Sequence, residues 1–171
     1  MTAKIVENER TAMAQKVTSQ RDGPGLRIGR RSEISLIFPV IPGSVKIFCQ
    51  RLPQFQAEAA YWQKGGTVHD FVMFMFDNDT RIFMSIVYDG NFKPYLDDII
   101  NKTTQWFDPL LLGVVEGFKG TKDPGFSEWL SKYVITAEFF YVSYPDATRR
   151  DVVKGLRVQS AFEHLLDEAQ S

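Results

Sequence analysis

TVHDFVMFMFDNDTRIFMSIVY, residues 67–88, holds two runs rich in β-branched and aromatic side chains, Thr67 to Phe76 and Arg81 to Tyr88, joined by Asp77-Asn78-Asp79-Thr80. Strong turn formers between two such runs specify a β-hairpin. With Asn78-Asp79 as the two-residue turn, 77 faces 80 and the alternation of a strand sorts the side chains into two faces. His69, Phe71, Met73 and Met75 then share a face with Ile82, Met84, Ile86 and Tyr88, while Asp70, Val72, Phe74 and Phe76 share the other with Arg81, Phe83, Ser85, Val87 and Asp89. In this register His69 and Tyr88 are direct cross-strand neighbours.

Upstream, Ile34, Leu36 and Phe38 alternate with Ser35 and Ile37 and suit a first strand ended by Pro39. Val45, Phe48, Leu52, Phe55 and Ala59 recur at helical spacing, with Ser44 as N-cap and Pro53 as a kink, giving a helix to about Trp62. Downstream, Asn91 to Lys102 places Phe92, Leu96, Ile99 and Ile100 on one helical face, and the apolar run Leu110 to Val115 reads as a fourth strand buried on both sides. This completes a βαββαβ unit, the ferredoxin-like arrangement. Beyond it follow a turn-rich loop, Gly117 to Gly125, a short helix, Phe126 to Tyr133, a further strand, Ala137 to Tyr144, and a C-terminal helix, Ala147 to Ala169, with a broad apolar stripe. The expected organisation is an N-terminal arm, residues 1–32, with one short helix between Asn8 and Ser19, and a single α+β domain, residues 33–171. The arm is either a solvated tail or a segment that wraps a partner subunit.

Size and composition fit that reading. The 171 residues suffice for one well-buried core, and 44% hydrophobic with 24% charged residues is a globular mixture. Fourteen Phe supply aromatic bulk for a core, a ligand cavity or a subunit interface. A net charge of −1 gives no electrostatic reason to bind nucleic acid or an anionic membrane. One cysteine and two histidines exclude an internal disulfide and every all-protein Cys/His zinc pattern. No apolar run approaches the roughly 20 residues of a membrane span, and the polar N-terminus lacks the core of a secretion signal, so a cytoplasmic setting is expected.

Both faces of the hairpin are too apolar for water, so the one not covered by helices needs another cover, for which a second sheet is the natural candidate. On element order and patterning over residues 33–116, the chain resembles the dimeric α+β barrel superfamily, in which two ferredoxin-like units pack sheet on sheet and each keeps a pocket between its sheet and nearby helices or loops. The segment YDGNFKPYLDD, residues 88–98, is similar to a stretch of short uncharacterised bacterial proteins of that type. The resemblance implies a homodimer and a small-molecule ligand. It leaves the chemistry open, because the superfamily holds haem peroxidases, chlorite dismutases, cofactor-free monooxygenases, polyketide cyclases and non-catalytic binders.

His69 is the candidate for acid–base work or for ligating haem iron, with Tyr88 orienting it and Phe71, Met73, Met84 and Ile86 forming an apolar pocket wall. The alternative is a hydrogen-bonded core histidine. Asp70, Arg81 and Ser85, with Asp89, form a rival cluster on the other face, which a solvent-edge salt bridge would also explain. His164 on the last helix is a second conceivable haem ligand or simply part of a solvated face. Cys49 is expected to be a buried, inert thiol. The loop 116–125 matches neither the Gly-x-x-Asp-Gly signature of dye-decolorising peroxidases nor a phosphate-binding loop. The expected function is therefore a small-molecule enzyme of oxidative or cyclase chemistry, with haem or no cofactor. The alternative is a non-catalytic metabolite-binding or protein-interaction dimer.

Overall fold

A computed structural model describes residues 18–19, 23–62 and 66–170. In chain order these form β1 (Thr18–Ser19), β2 (Leu26–Ile28), β3 (Arg31–Pro39), α1 (Val45–Trp62), β4 (Val68–Phe76), β5 (Arg81–Asp89), α2 (Phe92–Lys102), α3 (Thr104–Leu111), α4 (Phe126–Ser131), β6 (Val134–Ile135) and α5 (Arg149–Gln170). The helix expected between Asn8 and Ser19 lies outside the described residues, apart from the two of β1. The later part of the stretch expected to be an arm contributes β2 and the start of β3.

The hairpin has the expected register, Asp70↔Val87 through Phe76↔Arg81. Its turn is closed by Thr80 N–H donating to the Asp77 carbonyl at 3.2 Å. Asp77, Asn78 and Asp79 all take positive φ, which Asn and Asp tolerate best among residues with a side chain. The sheet runs β1-β2-β3-β5-β4, with β6 pairing β3 beside β2, and every pairing is antiparallel. Since β3 and β4 both run antiparallel to β5, they are parallel to each other and need the crossover that α1 supplies.

One face of this α+β sheet is closed. Ile34, Leu36 and Phe38 of β3 and Ile82, Met84, Ile86 and Tyr88 of β5 are buried against Phe48 and Phe55 of α1, Phe92, Tyr95 and Leu96 of α2, Phe107, Leu110 and Leu111 of α3, and Phe118 and Phe126 beyond. Phe38 stacks on Trp129 with ring centroids 5.2 Å apart, which fastens the 118–130 segment to the central strand. The other face is open over β4, where Val72 is 50% and Phe74 49% exposed.

Three expectations need correction. Leu110 to Val115 is not a fourth strand: α3 runs to Leu111, a turn follows, and only Val115 makes an isolated bridge, to Val40. Phe107, Leu110, Leu111 and Val114 recur at i, i+3, i+4 and i+7 and are all buried, so the apolar run is one side of a helical period that a window starting at Leu110 hides. The edge of β3 that such a strand would occupy carries β2 and β6 instead. Second, Ala137 to Tyr144 forms no ladder; pairing stops after Ile135, and Phe139, Tyr141 and Tyr144 are exposed. Third, Cys49 is exposed on α1 rather than buried. No helix among the described residues is long and apolar enough to cross a membrane.

Because Phe38 joins the central strand to Trp129 and Tyr133, Phe38→Ala is expected to cost about 3–5 kcal/mol of unfolding free energy, measured by urea denaturation.

Candidate functional site

The ladder between β4 and β5 breaks between Val68 and Asp70, so that Val68 rather than His69 stands opposite Tyr88. This bulge corrects the expected neighbours. His69 Nε2 lies 2.7 Å from Asp89 Oδ1 on the outer face of the sheet, whereas Tyr88 is buried and stacks on Tyr95, with ring centroids 3.9 Å apart. Burial, and secondarily the neighbouring Tyr88, push the Tyr95 hydroxyl far above its ordinary pKa, so it stays protonated. A carboxylate only accepts, so Nε2 carries the proton in the His69–Asp89 bond.

Asp89 gathers four segments of chain. Its Oδ1 also sits 3.8 Å from Arg31 Nε of β3, and its Oδ2 accepts the backbone N–H of Arg149 at 2.7 Å. Around it, Arg31 Nε donates to the Ala147 carbonyl, Arg30 N–H to Pro145 and Arg149 Nη1 to Gly66. Gly29 makes this approach possible: its φ is +57°, and a Cβ there would lie 2.6 Å from the Pro145 carbonyl oxygen. Thr148 and Asp151 complete the start of α5 as a capping box, Thr148 N–H donating to Asp151 Oδ2 and Asp151 N–H to Thr148 Oγ1. Those bonds to Thr148 hold the Asp151 carboxyl below its ordinary pKa. With side chains 9% and 13% exposed, His69 and Asp89 form a clasp that fixes where α5 leaves the body.

Asp89 also borders a cleft of about 310 Å³ with Arg27, Thr67, Asn91, Pro94, Tyr95 and Asp98. Arg27 Nη1 donates to Asn91 Oδ1, so Asn91, the residue preceding α2, makes no side-chain cap to that helix. This rim is polar and carries both signs of charge. An imidazole oriented by a carboxylate at its edge is the arrangement of a general base, although its exposure is small.

The other predicted residues are dispersed. Phe71 packs against Phe55 and Phe107, Met73 joins the core, and Met84 and Ile86 line an apolar void of about 40 Å³ with Leu36, Phe107 and Trp129. That is well below the about 150 Å³ that admits a benzene ring. Asp70 is exposed opposite Val87, while Arg81 pairs with Asp77 at 3.4 Å at the far end of the hairpin, about 20 Å of strand away. His164 is exposed on α5, 3.5 Å from Glu168.

Ser85 leads to a residue that reading the strand from Ile34 missed. Glu33 is 5% exposed, receives a hydrogen bond from Ser35 and another from Ser85, and leaves Oε2 without a partner among the described residues. Burial raises its pKa, and the two serines only partly oppose that. The signal was an acidic residue inside an otherwise strand-like run.

Among the described residues no group of three or more His, Cys, Asp or Glu could hold a metal ion. Neither candidate histidine offers a haem site among the described residues: His69 Nε2 is bonded to Asp89, the void beside Met84 and Ile86 is too small for a macrocycle, and His164 stands on an exposed helix. No protein-family model matches the chain, and no curated protein or solved structure is detectably similar to it.

Two outcomes follow. Asp89→Ala removes charged hydrogen bonds worth about 1.5–3 kcal/mol each and is expected to speed tryptic cleavage after Arg149 or Arg150 on the order of tenfold, resolved by mass spectrometry. A carboxyl whose folded pKa is raised binds its proton more tightly in the folded state, so the stability it confers falls as pH rises from the ordinary carboxylate value through the raised one. The Tm of Glu33→Gln minus that of the wild type should therefore increase with pH over that interval; a flat difference would show that Glu33 does not titrate with folding.

Proposed function

We propose that the chain is a self-associating binding protein, two copies of which cover the open faces of each other's sheets, and that His69 serves the architecture rather than a reaction. The observation that carries this reading is the half-exposure of Val72 and Phe74 in the middle of β4, with the Phe74 ring centroid 5.0 Å from that of Phe83. An apolar sheet face of this kind is what sheet-on-sheet packing buries. The run β3-α1-β4-β5-α2 supports it further, since it keeps the first three strands and both helices of the ferredoxin-like arrangement, with β2 and β6 standing where the fourth strand would run. Our reading is a dimeric α+β barrel in which that edge is substituted.

A second reading has one observation in its favour: Asp89 both orients the His69 imidazole and borders the polar cleft. There the protein would be a small-molecule enzyme of oxidative or cyclase chemistry, with His69 as the acid–base group. Native mass spectrometry of protein purified from its own host separates the two. A small molecule retained by the wild type and lost in His69→Gln supports the enzyme, and a bare dimer supports the binding protein. For the latter, Phe74→Glu is expected to convert dimer to monomer in sedimentation velocity with little change in Tm; a monomeric wild type would sink the proposal.

A further inference from the structure

We propose that the distal half of α5 pairs antiparallel with the same segment of a second copy, crossing near Phe162. The helix leaves the body at a point fixed by Asp89 and the Thr148–Asp151 capping box, yet none of its residues is buried. Val158, Ala161, Phe162, Leu165 and Ala169 fall at i, i+3, i+4, i+7 and i+11, which is a single stripe. Val158, Phe162 and Leu165 are 62%, 59% and 61% exposed. Val152 and Leu156 lie on the opposite side, so this stripe is separate from the apolar side chains next to the body. A lone 22-residue helix interrupted by Gly155 is marginal in water without a partner for such a face.

Charge identifies the partner. Residues 149–157 carry Arg149, Arg150, Lys154 and Arg157 against Asp151 alone; residues 158–170 carry Glu163, Asp167 and Glu168 and no lysine or arginine. A parallel pair would set like against like, whereas an antiparallel pair sets each basic half against an acidic one. The flanks agree. Arg157 and Glu168 are eleven residues, about three turns, apart and so lie on one flank of the stripe, with Lys154 close to it. Phe162 lies five residues after Arg157 and six before Glu168, so a two-fold axis near Phe162 brings Arg157 of each copy to Glu168 of the other, twice by symmetry. Glu168 also has His164 of its own chain at 3.5 Å. An anionic membrane is the poorer occupant, because the distal half carries only acidic formal charges beside its stripe.

This contact extends the proposed self-association to a second surface and stands on separate residues. The test uses the full chain in sedimentation velocity. Lys154→Glu with Arg157→Glu makes one acidic variant, and Asp167→Lys with Glu168→Lys makes one basic variant. Each alone is expected to weaken self-association on the order of tenfold, and a one-to-one mixture of the two to restore it. Phe162→Asp should have the effect of either charge variant alone. Unchanged association in all three variants, or a mixture that fails to associate, overturns the pairing. So does binding to phosphatidylserine vesicles that needs Phe162 while self-association does not. If the charge variants behave as expected and Phe74→Glu changes nothing, the sheet-face reading fails and this one stands; the reverse result removes this one alone.

Discussion

The carboxylate of Asp89 is the point at which the ends of β4, β5 and β3 and the start of α5 are held together. Its partners are an imidazole, a guanidinium and a backbone N–H, and the side chains of Asp89 and His69 are largely withdrawn from water. A carboxylate in that setting needs all of its partners, because a charge left unpaired at low exposure is costly. The bulge at His69 is what brings the imidazole there. Without it, His69 would point toward Tyr88 and the helices, and the outer end of the sheet would lose the donor that steadies Asp89.

From this end the two faces of the sheet diverge in character. The inner face is an aromatic core in which Phe55, Phe71 and Phe107 meet in a mutual cluster and Phe38 stacks on Trp129. The outer face carries a buried acid, Glu33, with its two serines over β3 and β5, and an exposed apolar patch over β4. Among the described residues the inner face is closed, whereas the outer face is exposed over β4 at Val72 and Phe74. α5 has its origin held at Asp89 and has no buried residue along its length.

The hairpin was legible because its turn and its alternation agree, and the pairing from Asp70 to Val87 follows from them directly. α1 and α2 were legible for the same reason, their periods being long and unambiguous. Leu110 to Val115 misled because a short apolar run has no period of its own; the decisive partner, Phe107, lies outside it. Ala137 to Tyr144 has strand-like alternation but no ladder, because the free edge of β3 is taken by β2 and β6. The candidate site fared less well than the fold. The sequence points to His69, but strand alternation sets its partner Asp89 on the other face, and nothing local marks Arg31 as a neighbour of that pair or Glu33 as a buried acid.

Local chemistry in the sequence by itself determined the hairpin, its register over most of its length and the two long helices that follow each half of the split βαβ unit, since these depend on neighbours within a few residues or across one turn. Tertiary structure alone decided which residue the ladder skips. A bulge is a one-residue insertion whose cost is met by the contacts it allows, and those contacts, Asp89 with His69, Arg31 and Arg149, come from chain segments 20 to 60 residues away from Asp89. Sequence alternation carries no information about such a meeting, and so the two side chains that the hairpin pattern paired, His69 and Tyr88, ended on opposite faces of the sheet.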